Sequence, residues 1–155
     1  MPVFYTSYPD NKITKAINDL VGQPYRLWDN LKMGGTGCQR MLVKDVSVGL
    51  QQYINDPLYP SYSAIELRPG GILISLSHIM QRYTWPIPFT QLQIAHVEVT
   101  QNARNPIGFK KINSLIITIN DHEHSIVLED VRGANRSFLS KLQTKIPNKI
   151  IGGSY

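Results

Sequence analysis

Three short segments of the chain gather side chains capable of chemistry. Asp121-His122-Glu123-His124 puts four possible metal ligands in four residues. In an extended segment His122 and His124 project to one side, because side chains alternate with a period of two. Two imidazoles can share an ion, but a working site needs a third ligand, and spacing assigns that place to neither His78 nor His96. A plain polar hairpin tip is the expected reading, and a metal-assisted enzyme using His122 and His124 is the competing one. Gly34-Gly35-Thr36-Gly37-Cys38 is the second segment. It lacks the Gly-Lys-Ser/Thr ending of a phosphate-binding loop. Arg40 lies close enough in sequence to lower the thiol pKa, but no histidine is placed to act as base, so a flexible linker with a bystander thiol is expected. The third segment, Gln101–Asn113, reads as a long loop holding Arg104, Phe109, Lys110 and Lys111. Cations beside an exposed aromatic suit an anionic membrane surface or an acidic partner, and an ordinary solvated loop is the alternative.

Nothing else in the chain assembles a nucleophile with its base: no Gly-x-Ser-x-Gly elbow and no His-Glu-x-x-His helix occurs. Catalysis is therefore not expected, and no cofactor is implied. Sixteen Lys and Arg against eleven Asp and Glu give a net charge of +5. The excess lies mainly in the second part: residues 1–60 carry six cations and five anions, residues 61–155 ten and six. A balance of this size keeps a small domain soluble, and it does not by itself single out an anionic partner. Trp28, Trp85 and the eight tyrosines read as core or interface anchors, so nucleic acid is not expected as a partner. The single cysteine excludes an internal disulfide. Met1–Tyr5 lacks the basic start and apolar run of a secretory signal, and no apolar run approaches the roughly 20 residues of a membrane span. The expected compartment is the cytoplasm, with a membrane-peripheral position if the 101–113 loop contacts lipid.

The elements that must position these segments change character near residue 57. Ile13, Ala16, Ile17, Leu20 and Val21 line one helix face, with Asp10 or Asn11 as cap and Gly22 as stop. Gln39–Ile54 carries a second helical pattern, although Gly49 costs it about 1 kcal/mol and Val43, Val46 and Val48 leave part of it open to a strand. Beyond Pro57 and Pro60 the period becomes two. Strands are predicted around Ile65–Leu67, Ile72–Leu76, Arg82–Ile87, Ala95–Val99, Leu115–Ile119 and Ser125–Glu129, with turns at Pro69-Gly70-Gly71 and Asn120-Asp121. A final helix, capped by Asn135 and ended by Pro147, faces the sheet with Phe138, Leu139, Leu142 and Ile146, against partners such as Ile74, Val97 and Ile117. Lys141 is placed on its outward face.

The segments IELRPGGILIS (65–75), YTWPIPFTQL (83–92), AHVEV (95–99), LIITIN-DHEH-SIVLED (115–130) and NRSFLSKLQTKI (135–146) together resemble bacterial pleckstrin-homology-like (PH-like) domains of unknown function. The resemblance implies an α+β fold: a strongly bent antiparallel sheet or partly open PH-like barrel with a C-terminal capping helix. Residues 58–155 would form that domain, and residues 1–57 an N-terminal helical extension. Six predicted strands are one fewer than the family's fold, and the extension has no counterpart in it. Lipid-binding relatives in the wider superfamily cluster cations around the first hairpin. Here that hairpin offers Arg68 alone, so specific phosphoinositide recognition is not expected. The function implied is a non-catalytic binding or scaffold module for an unidentified protein partner or a second copy of itself, with peripheral binding to an anionic membrane as the alternative.

Overall fold

Where alternation is cleanest, strands form and pair with their sequence neighbours. The computed structural model describes residues 2–54, 58–131, 133–146 and 150–154. Ile65–Arg68 (β4), Gly71–His78 (β5) and Gln81–Pro88 (β6) make an antiparallel meander. Phe4–Tyr5 (β1) adds to the free side of β6, so the order is β1-β6-β5-β4. Gln93–Asn105 (β7), Gly108–Asn120 (β8) and Ser125–Asp130 (β9) make a second meander. Met41–Val46 (β2) pairs antiparallel with β9, and Tyr62–Ser63 (β3) with β2. Ile150–Ser154 (β10) lies parallel to β7 at the far edge, giving the order β10-β7-β8-β9-β2-β3. The result is a mixed α+β fold with two antiparallel sheets that do not close on each other, β10 adding a parallel pair to the larger one.

One corner between the sheets lies where β3 runs into β4. Ser63 pairs with Met41 in one sheet, and Ile65 pairs with Ile74 in the other, so the chain switches layers at Ala64. Ser75 holds the bend: its hydroxyl accepts from the Ala64 N–H at 2.9 Å and lies 3.2 Å from the Ala64 carbonyl, to which it donates. Ser63 donates to the Ser75 carbonyl at 2.6 Å. Between the layers sits one apolar cluster that includes Trp85, Ile72, Ile74, Ile87, Ile117, Ile119, Ile126 and Leu128.

Among the described residues four helices complete the fold. Asn11–Val21 (α1) starts where Asp10 accepts from the Lys12 and Ile13 N–H groups and ends at Gly22, whose φ is +85°. It covers the outer face of the four-stranded sheet through Ile17 and Val21 on Leu73. Gly71 permits that approach, since a Cβ there would lie 2.7 Å from Val21 Cγ1 and 2.3 Å from the Ile87 carbonyl oxygen. Leu27–Lys32 (α2) is a short outlying turn. The helix predicted over 39–54 divides into β2 and Val48–Ile54 (α3), because Met41 and Val43 are claimed by β3 and β9. Residues before 57 thus supply a strand to each sheet, and Met41, Leu50 and Ile54 join the common core.

Arg136–Lys145 (α4) packs Phe138, Leu139 and Leu142 into the same cluster as Ile74 and Ile117, as expected. Two expectations about it are corrected. Val97 is not among its partners: His96 stands opposite the buried Ile117, whereas Val97 stands opposite Ile116. The inward positions of β7 are thus Ile94, His96 and Glu98, and Arg136 of α4 forms a two-pronged ion pair with Glu98. Asn135 occupies the cap position without capping. Its amide instead pairs with the backbone of Gln39, accepting at 2.8 Å and donating at 3.2 Å, which fastens the segment before β2 to the start of α4.

Candidate functional site

The segment read as a 101–113 loop is strand for nearly its whole length. β7 and β8 stay in register from Gln93↔Asn120 to Asn105↔Gly108, whereas β9 pairs with β8 only from Leu115 to Asn120 and β10 with β7 only from Ile94 to Glu98. Among the described residues no third strand pairs with the stretch from Thr100↔Asn113 outward, so it forms a two-stranded ribbon. Arg104 stands opposite Phe109, Lys110 opposite Ala103 and Lys111 opposite Asn102. Pro106 and Ile107 make the tip; proline suits such a corner because its φ is already fixed, and Gly108 follows with a φ of +143°. Ile107 is 97% exposed.

The histidine tip is built around Asp121. One carboxylate oxygen accepts from the Glu123 and His124 N–H groups, both at 2.7 Å, and the other accepts from the indole N–H of buried Trp85 at 3.1 Å. Folded over in this way, His124 sets its ring edge-on to Trp85, 5.9 Å between centroids, and lies against Gly49. His122 is exposed. The segment is a turn rather than a strand, so period-two alternation does not govern these two rings. Among the described residues no three His, Cys, Asp or Glu side chains are grouped as a metal ion requires.

The glycine segment is not a free linker. The Leu67 N–H donates to the Thr36 carbonyl at 2.7 Å and the Cys38 N–H to the Ile65 carbonyl at 2.9 Å, so residues 36–38 run along the open side of β4. The Cys38 sulfur accepts from the Ile65 N–H at 3.0 Å. Burial outweighs this hydrogen bond and pushes the thiol from 9.0 up to about 11, opposite to the direction expected from Arg40. A cleft of about 330 Å³ opens beside it, lined by Thr36, Cys38, Glu66, Leu73, Ser75 and Thr84. A thiol protonated at neutral pH makes a poor nucleophile there. Arg68, the one cation of the first hairpin, donates to Glu66 at 2.8 Å, to the Asn18 amide at 3.2 Å and to the Gly22 carbonyl at 3.3 Å, tying α1 to β4.

One feature was not singled out from the sequence. α2 buries none of its residues, and Leu27, Trp28 and Leu31 are 70%, 73% and 62% exposed. Its flanks are nevertheless anchored. Tyr25 and Met33 pack on the core, and Lys141 of α4 donates to the Gly34 and Gly35 carbonyls, each at 3.2 Å. The spacing of Leu27 and Leu31 signals an apolar helix face, but only tertiary structure shows that the face points away from the core. Among the described residues no helix is long and apolar enough to cross a membrane. No protein-family model, no curated protein and no solved structure matches this chain.

Proposed function

We propose that the protein is a non-catalytic binding or scaffold module of PH-like type whose contact surface for a protein partner, or for a second copy, is centred on α2. The observation that carries this reading is the exposed Leu27, Trp28 and Leu31 on a helix whose flanks are fixed. Apolar residues that bury nothing within their own chain add little to its folding, while a contiguous exposed patch marks interaction sites. Tryptophan is enriched among the residues that dominate interface energies. The PH-like assignment is supported by the two open antiparallel sheets and the C-terminal helix packed on their common core. The non-catalytic reading is supported by the placement of the reactive groups: Cys38 is held as a thiol, and His124 is packed on Trp85.

A photo-crosslinking amino acid at position 31 tests this reading in the source cells. An adduct with a second copy, or with one defined protein, that disappears in a Trp28→Ser background is the expected result. Adducts no stronger than those from the exposed position Gln143 would overturn it.

A further inference from the structure

We infer that the β7–β8 ribbon is an arm that binds double-stranded DNA. This rests on a different part of the molecule from α2 and goes beyond the protein-binding reading. The six register pairs from Thr100↔Asn113 to Asn105↔Gly108 give an arm about 20 Å long at roughly 3.4 Å per residue. A two-stranded ribbon is a shape that the B-form major groove, about 12 Å wide, admits.

The charge of the arm is of one sign. Residues 99–114 contain Arg104, Lys110 and Lys111, four amide side chains (Gln101, Asn102, Asn105, Asn113) and no Asp or Glu. Cations neutralise phosphates and release counterions; amides hydrogen-bond to phosphate oxygens and to base edges. An isolated two-stranded hairpin is marginal in water, so a ribbon extended beyond its sheet is best explained by something that it lies against. A membrane fits less well. The three cations and four amides of the arm outnumber its large apolar residues, Ile107, Phe109 and Ile112. In the sequence the tryptophans and tyrosines read as core or interface anchors, and on that ground nucleic acid is not expected. The arm uses a different means of binding, charge and amides on a ribbon, and does not depend on base stacking.

The test is fluorescence anisotropy of a labelled 30-base-pair duplex with the full chain at 50–200 mM salt. Three phosphate contacts predict a slope of log K against log salt of about −2.7, a loss of about 40-fold across that range. The triple variant Arg104→Ser, Lys110→Ser, Lys111→Ser is expected to keep its melting temperature and lose at least tenfold in affinity at 50 mM salt. Should that variant unfold, Lys111→Gln carries the same test, with a slope smaller by about 0.9. Absence of duplex binding, an unchanged slope in the variants, or tighter binding to the single strand would each overturn the proposal. So would sedimentation with phosphatidylserine vesicles that the variants abolish while duplex DNA goes unbound. Trp28→Ser should leave the duplex affinity unchanged, so this proposal and the α2 reading fail separately.

Discussion

Cys38 and Ile79 show how far a residue's chemistry depends on what surrounds it. The buried thiol of Cys38 has its pKa raised from 9.0 to about 11, chiefly by desolvation. A raised pKa means that the native state prefers the proton. The associated stability is therefore complete below pH 9 and is lost as pH climbs toward 11. Urea unfolding at pH 8 and at pH 10.5 should show the decline, and Cys38→Ala should flatten it. Ile79 adopts a φ of +54° in the two-residue turn between β5 and β6. That conformation costs a β-branched side chain roughly 1–2 kcal/mol, and Ile79 is exposed, so packing does not offset the cost. Ile79→Asn should stabilise the protein by about 1 kcal/mol and raise Tm by about 2–4 °C. A fall in Tm would mean that the isoleucine is held there by contacts stronger than the strain.

Among the elements, α4 is the one whose docking distinguishes single side chains most sharply. Leu142 is fully buried in the shared core, and Leu142→Ala should cost about 2–5 kcal/mol. Lys141, placed outward by helical periodicity, instead bridges α4 to the turn after α2. Lys141→Ala should cost about 1 kcal/mol and should loosen α2, measurable as faster amide exchange at Gly34 and Gly35. Strands with uninterrupted alternation, such as 72–76 and 115–119, were legible because one face is wholly apolar. β7 runs in the opposite phase to its pattern: Ala95, Val97 and Val99 look like the inner face, but His96 and Glu98 take it, Glu98 held by an ion pair from α4. Gly49 looked like a flaw in a helix; its reason is His124, whose ring would lie 2.6 Å from a Cβ. The 101–113 ribbon was hidden because Asn, Gln and Lys are poor strand formers, and cross-strand pairing overrides that preference.

At the level of the whole molecule, the candidate surfaces sit on opposite kinds of support. α2 is held by side chains reaching from elsewhere, and the ribbon continues the sheet itself. The first 54 residues cannot be spared by either sheet. Met41, Leu50 and Ile54 lie in the common core, and β2 stands between β9 and β3. A fragment of residues 58–155 should therefore fail to unfold cooperatively and should expose the β9 edge to other chains. Circular dichroism and light scattering of that fragment would show it, and a sharp melting transition from a monomer would contradict it.

The position of β2 also has a consequence in time. Val43 meets Leu128 and Val46 meets Ile126, so the β9–β2 ladder of the six-stranded sheet closes across more than half of the chain. During synthesis β2 emerges long before its partner, and the sheet cannot finish until β9 has appeared. Non-local pairing of this kind places refolding in the millisecond-to-second range. Until β9 arrives, Val43 and Val46 stand without the strand they meet in the finished sheet, and a holding chaperone would find its substrate there.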